Sequence, residues 1–237
     1  LPPLPEQKRI ASILNKADGI RKKREEALQL ADSFLRATFL EMFGDPVTNP
    51  KGWEIRTIRD LLSKVNYGTS KKANLSQGEF SILRMGNITF GGDWNFSKLK
   101  YIDFDESEKS KYLTVRDDLL FNRTNSKELV GKTAVYDSDE PMAFAGYLIR
   151  AQVNDIADPY YISAYLNSKH GKKTLQGMCK NIVGMANINA QEMQNIKIAL
   201  PPKRVQLNYR AVVEAVKKNK KLQFEGILET KHFLNSL

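Results

Sequence analysis

Along residues 6–43 the seam positions fall at alternating steps of three and four. Ile10, Ile13, Ala17, Ile20, Arg24, Ala27, Ala31, Phe34 and Thr38 keep the step, Leu14, Leu28, Leu35, Phe39 and Met42 broaden the stripe, and charge lies elsewhere. This is the a/d pattern of a coiled-coil helix. Pro5 suits a first helical turn, and Gly44-Asp45-Pro46 is a stop signal. Roughly 38 residues at ~1.5 Å each give a rod of about 57 Å. Gly19 weakens it by up to ~1 kcal/mol against alanine. Residues 203–237 repeat the design. Tyr209, Val212, Val213, Val216, Ile227, Phe233 and Leu234 carry the stripe, and Lys217-Lys218-Asn219-Lys220-Lys221 interrupts its middle. One long helix with a single apolar stripe cannot bury that stripe alone. The economical partner is the other helix, packed antiparallel; the alternative is that each pairs with a different molecule.

The two helices share a preface. Leu1-Pro2-Pro3-Leu4-Pro5-Glu6-Gln7 opens the first and Leu200-Pro201-Pro202-Lys203-Arg204-Val205-Gln206 opens the second. At an offset of 199 residues, without gaps, Leu1, Pro2, Pro3, Gln7, Lys22, Glu26, Phe34 and Leu35 fall on Leu200, Pro201, Pro202, Gln206, Lys221, Glu225, Phe233 and Leu234. A repeat of this kind decides the architecture. It predicts a proximal helix over 1–43, a globular domain over 44–202 and a distal helix over 203–237.

The pattern changes character between the helices. Gly52–Ile58 reads as a strand and Arg59–Val65 as a short helix. Phe80–Arg84, Lys98–Ile102, Asp118–Phe121, Lys132–Tyr136 and Ala143–Val153 read as further strands, rich in β-formers. Asp158-Pro159 is an N-cap followed by an N1 proline, opening a helix through Tyr165 and Leu166 towards Met178. Asn189-Ala190-Gln191-Glu192 opens another short helix, and Ile196–Leu200 leads back to the proline phrase. Strands first and helices after predict an α+β domain with a twisted, mainly antiparallel sheet.

Composition narrows the class. A chain of 237 residues with 41% hydrophobic and 27% charged residues is ordinary for a soluble protein. No run approaches the ~18 apolar residues that span a bilayer, and no signal peptide opens the chain. The first residue is not Met, which suggests a region of a longer protein. The single Cys179 excludes an internal disulfide and fits a reducing cytoplasm. One Cys with His170 and His232 makes a Cys/His zinc site improbable. The net charge of +10 points to a polyanion. Its placement weakens that pointer: residues 1–43 carry +2, 44–202 carry +3 and 203–237 carry +5. Most of the excess lies on the helices, where solvated lysines are the plainer explanation.

Catalytic motifs are missing. There is no GxxxxGK[ST] phosphate loop, no GxGxxG after a strand, no GxSxG elbow and no Asn-Pro-Pro-aromatic signature of adenine methylation. Asp103, Asp105, Glu106 and Glu108, and likewise Asp137, Asp139 and Glu140, are neighbours in sequence. Both groups read as solvated acidic turns rather than a nuclease metal site. The balance favours a binding module over an enzyme.

Taken in order, the repeat and the domain resemble the DNA-specificity (S) subunit of type I restriction–modification systems. Leu1–Ile10 is similar to that family's exit from a recognition domain into a helix. Gly52-Trp53 before a strand, Ser81–Ile88, Asp117–Arg123, Gly131–Tyr136 and Ile196–Pro202 also match its pattern. The second phrase departs from the first in having Lys203-Arg204-Val205 where Leu4-Pro5-Glu6 stands. The resemblance implies a spacer helix, a target-recognition domain and a distal helix. It implies a non-catalytic subunit that binds double-stranded DNA and reads one half of a split target. Two methyltransferase (M) subunits would supply S-adenosylmethionine chemistry, restriction (R) subunits would supply cleavage, and no cofactor would bind this chain. Self-association through the helices would pair two readers about a two-fold axis.

Base reading needs donors and acceptors on loops that enter a groove. Four loops qualify. Thr69, Ser70, Lys71 and Lys72 follow a glycine hinge. Arg84 and Asn87 end a strand. Asn122, Arg123, Thr124, Asn125, Ser126 and Lys127 are the richest donor run in the chain. Lys180, Asn181 and Asn187 precede a helix N-terminus, where phosphate can bind. The plainer readings are that such Asn and Ser residues turn the backbone and that Arg84 and Asn122 hold the sheet edge. Trp53 and Trp94 read as core, and Met178, Met185 and Met193 as gap-fillers. The rival function is a coiled-coil adaptor that binds protein and reads no DNA.

Overall fold

The computed structural model describes residues 2–179 and 185–235. In chain order the elements are α1 (Leu4–Phe43), β1 (Glu54–Thr57), β2 (Leu62–Tyr67), β3 (Phe80–Leu83), β4 (Lys100–Ile102), α2 (Glu106–Tyr112), β5 (Leu119–Asn122), β6 (Thr124–Asn125), β7 (Thr133–Val135), β8 (Ala143–Phe144), β9 (Leu148–Val153), α3 (Pro159–Asn167), α4 (Lys169–Met178), β10 (Ala186–Asn187), α5 (Ala190–Gln194), β11 (Lys197–Leu200) and α6 (Lys203–Asn235).

The repeated phrase folds the same way twice. α1 and α6 begin at Leu4 and Lys203, equivalent positions at the offset of 199. In each copy the glutamine four residues after the second proline bends back to the first. Gln7 donates to the Pro2 carbonyl at 2.8 Å, and Gln206 donates to the Pro201 carbonyl at 2.8 Å. Each second proline also accepts the first helical bonds, Glu6 and Gln7 onto Pro3, Val205 and Gln206 onto Pro202. The carbonyl two residues before the helix lies outside the helical ladder, so this side chain can reach back and close it.

The chain divides into two compact units. One comprises α1 through Phe39 and α6 from Ala211. Asp32 receives Lys220 at 2.9 Å, and eight residues back the Arg24 guanidinium covers the bare backbone of Gly226. One helix therefore runs down as the other runs up, and the pair is antiparallel as the repeat predicts. A two-helix pair buries only a narrow seam. Ala17, Phe39, Val213 and Ile227 are buried in it, whereas Ile13, Ile20 and Phe34, expected on the stripe, are exposed. Arg21 and Arg24 lie half-buried, Arg21 held by Asp18 and Glu25 at 2.7 Å each.

The second unit spans Leu40–Arg210, so the mixed domain takes in the end of α1 and the beginning of α6. Aromatic packing explains this: the Phe43 ring lies 4.6 Å from Tyr161 and 5.3 Å from Tyr209. Arg210 grips the Asp117 carboxylate with two bonds of 2.8 Å. Asp117 presents that carboxylate from a left-handed backbone, φ 71°.

Four sheets form, in the orders β2-β9-β5-β7, β4-β3-β8, β1-β11 and β6-β10. All named strand pairs are antiparallel except β3 with β8. Leu120 and Leu148 of the first sheet meet Leu83 and Phe144 of the second in one buried cluster. Trp94 packs on that cluster and donates to the Val135 carbonyl at 2.8 Å, while half-buried Trp53 donates to Phe43 at 3.0 Å. Both tryptophans serve packing, as expected.

Several elements differ from the sequence reading. The helix expected over Arg59–Val65 is a single 3-10 turn, Ile58–Leu61; from Leu62 the chain pairs with β9, and ladder bonds override local preference. The strand expected over Ala143–Val153 breaks at residues 145–147, leaving β8 and β9. The helix from Pro159 towards Met178 is two helices. Ser168 ends α3 by donating to the Tyr165 carbonyl at 2.6 Å and begins α4 by accepting from the Gly171 amide at 3.0 Å. The first acidic run is not a turn but α2, closed by a capping box of Asp105 and Glu108.

Candidate nucleic-acid interface

Strand direction gathers the predicted loops. β2 and β5 flank β9 and both run antiparallel to it, so Tyr67 and Asn122 end beside the start of β9 at Leu148. β3 and β8 are parallel, and the Ala145 amide continues that ladder by donating to the Leu83 carbonyl at 2.9 Å. On its other side Ala145 bridges Thr69 in parallel. The segments after Tyr67, Leu83 and Phe144 therefore leave in one direction, with Arg84 about 10 Å from Thr69 at two strand spacings. β10 lies on β6, placing Asn187 opposite Thr124. The first three loops and the described end of the fourth, at Asn187, meet at this end of the domain. Lys180 and Asn181 lie outside the described residues.

Within that end, burial sorts the candidates. Gly68 crosses so close to β8 that a Cβ would stand 2.3 Å from the Ala145 carbonyl oxygen. Only glycine fits, and it sends Thr69 inward. Thr69 is buried, and its hydroxyl accepts from the Lys71 amide at 3.1 Å. Ser70 and Lys72 are left exposed. Lys71 is drawn away to Glu108 at 2.5 Å and over the Phe104 ring. That carboxylate raises the lysine's pKa, and the lysine in turn lowers that of Glu108.

Asn87 and Asn122 are built into the fold rather than offered on it. Asn87 accepts from the Arg84 amide at 2.8 Å and donates to the Asn95 carbonyl at 2.8 Å. Asn122 is wholly buried, donating to Leu129 at 3.3 Å, and its Oδ1 has no donor among the described residues. Arg84 donates to the Lys98 carbonyl at 2.7 Å, tying down its own loop. Beneath that loop Lys132 donates to the carbonyls of Met85, at 2.9 Å, and Ile88. Burial lowers the pKa of Lys132. Thr124 is buried in the β6–β10 pair, while Asn125 and Ser126 turn the chain, the Ser126 amide donating to Asn125 Oδ1 at 2.9 Å. Lys127 and Asn187 are exposed.

The helix N-terminus after Asn187 is already filled. Glu192 N donates to Asn189 Oδ1 and Ala190 N to the Tyr67 hydroxyl, both at 2.9 Å. The anion site expected there is thus closed by protein groups. In its place stands a feature the sequence reading missed. The Arg123 guanidinium lies over the Tyr67 ring, 4.8 Å from its centroid. Arg123 opposes Tyr147 across β5 and β9, its amide donating to the Tyr147 carbonyl at 3.0 Å. Alternation puts Tyr67, Arg123 and Tyr147 on one face. Tyr67 and Tyr147 are 41% and 50% exposed, and Met185 beside β10 is 50% exposed, no gap-filler. Gly146 inside an apparently continuous strand was the available signal, since such a glycine marks a break.

Hydroxyl, amide and guanidinium groups thus gather on short loops at one sheet end. The chain belongs to the type I restriction modification DNA specificity domain family, whose pattern matches residues 50–223. It is 30% identical over 157 residues to the MjaX specificity subunit assigned to a type I restriction enzyme of Methanocaldococcus jannaschii, covering 65% of this chain and 36% of that one. It is 25% identical over 221 residues to the type I restriction enzyme EcoKI specificity subunit of Escherichia coli K12, covering 87% and 47%. The chain thus spans less than half the length of these relatives. Among solved structures, the type I restriction-modification system S subunit from M. genitalium aligns over 98% of this chain and 59% of its own, with a TM-score of 0.65 and 12% identity. The HsdS subunit from Thermoanaerobacter tengcongensis aligns over 100% and 57%, with a TM-score of 0.52 and 20% identity. At these identities the likeness speaks for the fold. The expectation of a non-catalytic specificity subunit agrees with the family. Among the described residues no helix is long and apolar enough to cross a membrane.

Proposed function

We propose that this chain is a sequence-reading DNA module of a type I restriction–modification system, acting in the cytoplasm. It reads one half of a bipartite target and leaves methylation and cleavage to partner subunits. The observation that carries the reading is the convergence of three loops and the described end of a fourth, distant in sequence, on one sheet end. Ser70, Lys71, Lys72, Lys127 and Asn187 are its exposed polar residues, and Arg123 is half-buried among its loops. The antiparallel helices serve as the spacer that sets the separation of two half-sites. Their exposed Leu30, Phe34, Leu222, Phe224 and Leu228 form apolar surface for methyltransferase subunits or a second copy.

Mapping methylated adenines across the genome with and without the gene tests this. A bipartite motif is expected to vanish on deletion; an unchanged methylation map sinks the proposal. The rival adaptor reading is separated by duplex binding. A DNA reader loses affinity steeply as salt rises, and an adaptor shows no such binding.

A further inference from the structure

A guanidinium in a DNA-reading loop is ordinarily assigned to guanine, because its fork matches the O6 and N7 edge. Arg123 is placed differently. Its backbone is inside the ladders: its amide donates to Tyr147 at 3.0 Å and its carbonyl accepts from the Ile188 amide at 2.9 Å. Its side chain is half-buried, lying over the Tyr67 ring rather than standing away from the surface. The ring is itself fixed, since its hydroxyl accepts from the Ala190 amide. The major groove is about 8.5 Å deep, so a base reader has to project. The exposed polar residues of the neighbouring loops are Ser70, Lys71, Lys72, Lys127 and Asn187. The outermost atoms of a duplex are its phosphate oxygens, and those are what a flat, half-buried fork meets first.

Among the described residues no carboxylate pairs with Arg123, and its buried Nε has no acceptor. The Nη groups of the same fork are not sealed in with the Nε and carry no hydrogen bond within the described residues, so an anion at the surface can accept charge-assisted bonds from them.

We infer that Arg123, preorganised by Tyr67, is a phosphate anchor that fixes register on DNA and reads no base. Base reading is left to the projecting loop residues. This rests on the DNA-reading function proposed above.

The test selects from a pool of random duplexes with the wild type, Arg123→Ala and Arg123→Lys, then measures affinity for selected and unselected duplexes over a salt series. Arg123→Ala is expected to select the wild-type motif. It should lose about tenfold in affinity on both kinds of duplex, and its log–log salt slope should fall by about one. Arg123→Lys should recover much of the affinity, because phosphate accepts a point charge whereas a bidentate base contact does not. Tyr67→Leu should weaken binding as uniformly as Arg123→Ala, and Tyr67→Phe less. A motif that degenerates at one base pair with the slope unchanged overturns the inference and makes Arg123 a base reader. Unchanged affinity in Arg123→Ala overturns it as well. If the wild type binds no duplex, the proposed function itself falls.

Discussion

Lys172 is a cation buried without a counter-charge. Its ammonium donates to the Gly131 carbonyl at 3.3 Å and lies 5.5 Å from the Phe90 ring centroid, and among the described residues no carboxylate pairs with it. Burial, and secondarily the charge on Lys132, lower its pKa from 10.5 to about 8. Between those values the unfolded chain holds a proton that the folded chain has shed. The unfolded state binds more protons there, so stability rises with pH across that window. Lys172→Met is expected to remove the rise, a difference of up to about 3 kcal/mol between pH 7 and pH 10.5. Denaturant unfolding of both proteins at the two values checks it, and identical pH slopes would contradict it. This residue was illegible in sequence, as was the buried role of Thr69, whereas the plainer readings of Asn87 as a turn residue and Asn122 as a sheet-edge residue fit their burial. A run of donors shows where polar chemistry gathers. Which donors a sheet keeps depends on strands far away, such as β8 closing over Gly68.

At the scale of elements, the starts of the two long helices offer a controlled comparison. Gln206 is wholly buried and makes three bonds, to Pro201 at 2.8 Å, to Ile156 at 3.1 Å and from the Asp158 amide at 2.8 Å. Gln7 is exposed, and its bond to Pro2 is the one seen among the described residues. Gln206→Ala leaves a buried amide and two carbonyls unanswered and should cost about 2–4 kcal/mol. Gln7→Ala should cost under about 0.5 kcal/mol. Equal losses in thermal or urea unfolding would refute this assignment. Elements were more legible than side chains. Proline phrases, β-branched runs and N-caps located most of them. α2 went unread although Asp105 and Glu108 have capping-box spacing. The Ser168 break is a tertiary choice: a Cβ on Gly171 would lie 2.2 Å from the Tyr165 carbonyl oxygen, so only glycine allows the two helices to meet so closely.

For the whole molecule, α1 leaves two large apolar side chains uncovered one turn apart on the same face. Leu30 is 69% exposed, and Phe34 on the same helix is 54% exposed. Replacing both with serine is expected to leave the melting temperature nearly unchanged, since neither side chain is in the buried seam. The same change should abolish co-purification with the cognate methyltransferase or a second copy. Retained co-purification would move the docking surface elsewhere. The repeat made this architecture readable before any single residue's role was. Periodicity reports which face of a helix is apolar, but the exposure of Ile13, Ile20 and Phe34 followed only from how little one partner helix can cover.

The bonds that join Gln206 to the domain have one more property. Pro201, Ile156 and Asp158 each meet it through the main chain. Main-chain groups change little with sequence, so these three bonds place little demand on side-chain identity, in contrast to the Arg210–Asp117 pair and the packing of Phe43 on Tyr161 and Tyr209. A domain with a rewritten reading end can hang from the same helix unaltered. Under the proposed function, a change confined to the reading loops leaves these three bonds intact.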